Sequence, residues 1–229
     1  MEVGGSIKQA ISWCVPWAVV VRGPTSPARH VALTFDDGPH PENTPRILDI
    51  LDAHNARATF FVQGNMAGRH PGLTREIARR GHQVGNHGYA HQDARKLKSA
   101  EYVADVLHAQ AVIEDLLGKA LPRFFRPPYG NVTLHSTLSL LRHRFRFIFW
   151  SLDSRDSFIE DAASLMAHLE RQRLETGCIM LLHDDYRQTA EALQDIIALL
   201  RRKQLTPVSL GELLTGTHLG RYGPSTAPD

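Results

Sequence analysis

What most constrains this chain is an alternation. Short runs rich in Val, Ile, Phe, Leu and Thr recur at residues 31–35, 58–62, 82–86, 123–126, 147–152, 178–182 and 206–209. β-branched and aromatic side chains suit a pleated surface, and several runs are apolar throughout, as in strands buried on both faces. Between the runs the period changes. In 45–55, Ile47, Leu48 and Leu51 share one helical face, and in 71–80 Leu73 and Ile77 do. Longer helical patterns cover 99–118, 133–144, 161–175 and 189–203, the first with Ser99 as N-cap and Gly118 as stop. Strands alternating with helices predict a parallel sheet with helices outside. Seven units predict an α/β fold, a closed or nearly closed barrel of about seven parallel strands with outer helices rather than an open sheet.

The 229 residues fit one large domain, and 42% hydrophobic with 22% charged residues allow a sizeable core. The net charge of +2 is too small to argue for a nucleic-acid partner. Cys14 and Cys178 lie far apart, without the spacing of a metal site or of a disulfide framework. Residues 28–215 read as the folded domain and 216–229, poor in apolar residues, as a flexible tail. Residues 1–27 form an apolar or amphipathic segment. Its apolar stretch, 10–21, falls short of the ~20 residues that span a bilayer. Ile7, Ala10, Ile11 and Cys14 share a helical face, and Trp13 and Trp17 suit a membrane interface. The expectation is a helix capping the domain, with peripheral membrane contact as the alternative. The compartment stays open between cytoplasm, inner-membrane periphery and export, and so does the oligomeric state.

In a parallel barrel the functional face lies at the C-terminal ends of the strands. Five motifs fall there. Thr34-Phe35-Asp36-Asp37-Gly38-Pro39 places two adjacent carboxylates at a strand end. Alone this is a turn, but beside a metal one carboxylate can bind it while the other takes a proton. His87-Gly88-Tyr89-Ala90-His91 spaces two imidazoles so that both reach one side, and two imidazoles with a carboxylate make a common divalent-metal site. Arg126-Pro127-Pro128-Tyr129-Gly130 is a stiff loop that can fix an arginine near a carboxylate and aim a backbone amide at an oxyanion. Trp150-Ser151-Leu152-Asp153-Ser154-Arg155-Asp156 supplies a carboxylate able to orient a histidine, and His183 closes the apolar run of Leu181-Leu182-His183-Asp184.

Taken in this order, over residues 28–214, the motifs resemble the polysaccharide deacetylases of carbohydrate esterase family 4, the NodB-homology domain. The resemblance implies a distorted (β/α) barrel and hydrolysis of N-acetyl groups on N-acetylglucosamine-containing glycans, with release of acetate. It also implies a divalent metal, zinc first, with cobalt, nickel or manganese able to serve, held by Asp37, His87 and His91. Asp36 would be the general base, oriented by Arg126. The backbone N–H of Tyr129 would meet the substrate's oxyanion, and Leu181 would line the acetyl pocket. His183 would be the general acid, tuned by Asp156. A deacylase or deformylase acting on a lipid-linked amino sugar is the alternative, and a catalytically dead carbohydrate-binding domain is the reading from another class. Two positions depart from the family pattern. Gly88 stands where a loop-stabilising Ser or Thr is usual, and Ser157 where Trp is common.

Overall fold

The computed structural model describes residues 18–25 and 28–215. The expected helical face at 7–14, its membrane contact and the 216–229 tail lie outside the described residues. The strands are β1 (Val19–Val20), β2 (His30–Asp36), β3 (Thr59–Val62), β4 (Gln83–Asn86), β5 (Phe124–Phe125), β6 (Arg146–Ile148), β7 (Leu152–Asp153), β8 (Ile179–His183) and β9 (Thr206–Val208). The helices are α1 (Asn43–Ala53), α2 (Gly64–Arg69), α3 (Pro71–Arg79), α4 (Ser99–Leu117), α5 (Leu134–Arg142), α6 (Ala162–Glu170), α7 (Arg187–Arg202) and α8 (Leu210–Thr215), with a 3₁₀ turn at Pro128–Gly130.

The sheet runs β1-β6-β5-β4-β3-β2-β8-β7, with β9 on β2, and every pairing is parallel. The run expected as one strand at 147–152 is broken. Phe149 N–H bonds to the Val20 carbonyl, on the β1 side, whereas Ser151 N–H bonds to the Ile179 carbonyl of β8. The chain thus crosses between the two ends of the sheet and curls it into a distorted barrel. Counting β6 and β7 as one interrupted strand gives eight strands where about seven were expected. The addition, β1, is two residues long, too short to display a period of two. Helices α2 and α8 were likewise unforeseen, because six residues give under two helical turns and α2 contains Gly64 and Gly68. Gly118 does end α4 in the left-handed conformation, but Lys98 holds the N-cap position and Ser99 is the first helical residue.

Alternation along the strands sorts side chains between two compartments. Val31, Leu33 and Phe35 of β2 pack outward with Ile47 and Leu51 of α1 and Ile196 of α7. Phe35 also stacks on Phe60 of β3, ring centroids 5.0 Å apart. A Phe35→Ala change there costs about 3–5 kcal/mol. The intervening Ala32 joins Phe61, Ile179 and Val208 in the inner cluster, with Leu213 of α8. By the same parity Thr34 and Asp36 of β2, and Leu181 and His183 of β8, form an inward row. That row ends at the C-terminal mouth. Among the described residues no helix is long and apolar enough to cross a membrane.

Candidate active site

Four strand ends bring the polar groups together. Asp36 is the last residue of β2 and is paired in register with His183, the last of β8. His87 follows β4 directly, and Arg126 follows β5. Asp37 continues past β2 with φ +76°, a left-handed turn that sends its carboxylate away from the one before it.

Arg126 is wholly buried. Its Nη1 donates to Asp36 Oδ1 at 2.8 Å and to Thr34 Oγ1 at 2.7 Å. Nε and Nη2 reach the Ile148 and Phe149 carbonyls, each at 3.2 Å, where the strand breaks. The guanidinium also lies 4.3 Å from the centre of the Phe61 ring. Burial lowers its pKa, and Asp36 opposes that loss. The carboxylate of Asp36 is therefore held in one place by a cation that is itself fixed on every side.

Beside it stand Asp37, His87 and His91, whose candidate ligand atoms all lie within 4.8 Å of one another. His87 Nε2 is 3.4 Å and His91 Nε2 3.1 Å from Asp37 Oδ1. Tetrahedral zinc with bonds of about 2.0–2.1 Å has ligand-to-ligand edges of about 3.3 Å. The donor set and these distances fit such an ion. The tautomer fits too: His87 Nδ1 lies 2.7 Å from the Arg126 carbonyl, which turns Nε2 toward Asp37. The electrostatics ask for positive charge. Burial opposes a proton on His87, yet Asp36 and Asp37 push its pKa up. Asp37 is held far below the usual carboxylate range, because His87 and His91 outweigh its burial.

His183 faces the same space. Its Nδ1 is 2.7 Å from Asp156 Oδ1, and its backbone N–H donates to Asp156 Oδ2 at 2.7 Å. Thr189 Oγ1 donates to that same oxygen at 2.6 Å. Burial opposes charge on the imidazole, but the Asp156 bond and charge, helped by Asp36 and Asp37, push it up to about 9. Tyr129 sits in the 3₁₀ turn at φ +57°, closed by Gly130 N–H to the Pro127 carbonyl. Its side chain is exposed and meets His91 edge-on, ring centroids 4.6 Å apart. Leu181 is buried two residues before His183, on the same inward row. The candidate site residues singled out from the sequence thus gather at one end of the barrel.

A family model described as polysaccharide deacetylase matches residues 23–148, more than half of the chain. The chain belongs to the polysaccharide deacetylase family. It is 40% identical over 145 residues to a peptidoglycan-N-acetylglucosamine deacetylase of Bacillus cereus, covering 63% of this chain and 52% of that one. It is 35% identical over 195 residues to a chitooligosaccharide deacetylase of Bradyrhizobium sp., covering 79% of this chain and 89% of the relative. A crystal structure of a peptidoglycan N-acetylglucosamine deacetylase superposes with a TM-score of 0.81 at 33% identity, covering 89% of this chain and 96% of that one. The chain spans about half the length of the first relative and most of the other two. The family model ends before Asp156 and His183, so their assignment to this site rests on the geometry.

Several supporting residues had no role assigned from the sequence, although Asp184 and Gly38 stand in the motifs. Gln63, just past β3, donates to Asp37 Oδ1 at 2.8 Å, and its backbone N–H bonds to the Gly38 carbonyl. Its place at a strand end was the available signal. Asp184 is wholly buried behind the Asp36–Asp37 turn and accepts from Thr44 Oγ1 at 2.5 Å. Burial pushes its carboxyl up to about 7. A Cβ on Gly38 would fall 2.0 Å from Asp184 Oδ2, so glycine is needed there for close approach.

Proposed function

We propose that this chain removes acetyl groups from N-acetylglucosamine-containing poly- or oligosaccharides, using a divalent metal, zinc by preference, held by Asp37, His87 and His91. One observation carries the reading. The three-ligand cluster is flanked by a carboxylate and an imidazole, each locked to its own buried partner: Asp36 on Arg126, His183 on Asp156. A bound metal would polarise the amide carbonyl and acidify water. Asp36 has an oxygen free of Arg126 with which to take the proton of an attacking water. His183 presents Nε2 to the site, because Asp156 occupies Nδ1, and delivers a proton to the leaving sugar nitrogen. The Tyr129 backbone N–H donates to the developing oxyanion, and Leu181 closes the apolar side against the acetyl methyl. The names of the relatives, with peptidoglycan and chitooligosaccharide in them, support a glycan over a lipid-linked amino sugar.

The test is acetate release from chitooligosaccharides and peptidoglycan by metal-stripped protein, then with zinc, cobalt, nickel or manganese restored. Release should depend on added metal. His87→Ala should lose both metal and turnover while its circular dichroism stays that of the parent. Normal turnover in that variant would remove this site from the reaction.

A further inference from the structure

We propose that Asp105, on α4, is a positioning residue for the metal ligands: its carboxylate fixes the backbone of the turn that carries His87 and His91. This rests on the metal-site reading above. The turn is an unfavourable one, with Gly88 at φ +77° and His91 itself at φ +52°. A non-glycine residue held there costs of order 1–3 kcal/mol and persists only where its surroundings impose it. The surroundings are specific. Tyr89 N–H donates to Asp105 Oδ2 at 2.7 Å, and Ala90 N–H to Asp105 Oδ1 at 3.2 Å. One carboxylate thus grips two successive amides, and bonds to an ionised acceptor are roughly twice as strong as neutral ones.

The rest of the turn is tied to the same helix. Gly88 N–H donates to Asn86 Oδ1 at 2.8 Å, and Asn86 Nδ2 donates to the Val106 carbonyl at 2.9 Å and Gln110 Oε1 at 3.1 Å. On the other side, Gly64 and Asn65 N–H bond to the Gly88 and Tyr89 carbonyls. Gly88 is part of this arrangement, since a Cβ there would sit 3.0 Å from Asp105 Oδ2. The carboxylate that holds this turn thus arrives from a neighbouring helix. These bonds go to backbone groups between the two ligands. What they set is the separation and aim of the imidazoles, the property on which affinity for an ion depends.

The experiment uses the full chain as parent, Asp105→Asn and Asp105→Ala, each stripped and titrated with Co²⁺. The readouts are the dissociation constant, the visible Co²⁺ spectrum and the melting temperature of the metal-free protein. Asp105→Ala should bind Co²⁺ about 10–100-fold more weakly, the usual range for groups behind metal ligands, with an altered spectrum and a metal-free melting point within a few degrees of the parent. Asp105→Asn should fall in between, because its amide oxygen still accepts from Tyr89. Parent-like affinity in Asp105→Ala would overturn the proposal. So would equal weakening in both variants that merely follows a lowered melting point. If Asp105→Ala does not fold, Asp105→Asn decides: weaker affinity at unchanged melting point supports the role, and unchanged affinity overturns it. A parent protein that binds no Co²⁺ would instead sink the metal-site reading itself.

Discussion

Asp36 and His183 are register partners on neighbouring parallel strands, so the two groups able to move protons are set opposite each other by the sheet itself. Neither is among the three candidate metal ligands, and this separates chemistry from metal retention. Asp36→Asn should remove nearly all turnover, and His183→Asn should cut it by about a hundredfold or more, the scale of lost acid–base help. Both variants should keep a full complement of metal by elemental analysis. Loss of metal from His183→Asn would place that imidazole among the ligands and undo the division of roles.

Arg126 should matter to the fold as much as to the reaction. Removing its side chain leaves Asp36 buried without its guanidinium partner and strips donors from Thr34 and from the Ile148 and Phe149 carbonyls. Breaking a buried ion pair from one side costs about 3–5 kcal/mol. Arg126→Ala should lose that much in urea unfolding. Arg126→Lys should recover only part of it, since an ammonium cannot reproduce the planar fork. An Arg126→Ala protein as stable as its parent would show that the pair is not holding the strand break in place.

The candidate site was readable because its chemistry sits in short motifs just past apolar runs, and a parallel barrel collects such positions at one mouth. Asp36, Asp37, His87, Arg126 and His183 all follow this rule. What escaped notice lies one layer behind. Gln63 and Asp105 are common residue types that act through contacts fixed by tertiary packing, and a lone Gln or Asp carries no local pattern, while Asp184 stood in a motif whose notice went to His183. The fold was legible where an apolar run or a helical face of more than two turns marks the element, including short strands such as β5 and β9. It was not at β1 and β7, of two residues each, nor at the switch between Phe149 and Ser151, which depends on partners far away in sequence.

Gly38 offers a steric test of that second layer. A methyl group at this position would overlap the buried carboxylate of Asp184, which Thr44 holds in place. Gly38→Ala should therefore displace the turn carrying Asp37, destabilising the protein by about 1–3 kcal/mol, as overpacking does, and weakening metal binding. A Gly38→Ala protein with parental stability and metal affinity would mean that Asp184 moves aside freely.

At the opposite end of the barrel, His82 is buried against Phe60, and among the described residues both of its ring nitrogens lack a hydrogen-bond partner. Burial, with the Arg57 charge, pushes its pKa down from the ordinary 6.5 to about 4. The folded state thus favours the neutral ring. This contribution to stability is complete above pH 6.5 and is lost as pH falls through 4. Its full size is about 3 kcal/mol at 1.36 kcal/mol per pH unit. Urea unfolding of the parent should weaken across that window, and His82→Leu should flatten the slope. An identical slope in the variant would assign the acid sensitivity to other groups.

The alkaline limit of activity should belong to Asp156. Its carboxylate accepts three hydrogen bonds, from His183 Nδ1, His183 N–H and Thr189 Oγ1. Burial works against the imidazolium, and the Asp156 bond and charge are the largest influences that overcome it and raise His183 to about 9. An acid that must be protonated to act loses activity as pH rises through its pKa, while the base sets the limb on the other side, so the profile is a bell. Asp156→Asn removes the negative charge and leaves one amide oxygen for three donors. The pKa of His183 then falls, and the alkaline limb of kcat/KM moves to lower pH, toward the ordinary histidine range. Metal content should not change, because Asp156 lies outside the three-residue cluster. An unmoved alkaline limb, in a variant with measurable turnover and full metal, would mean that His183 does not deliver the proton to the leaving nitrogen.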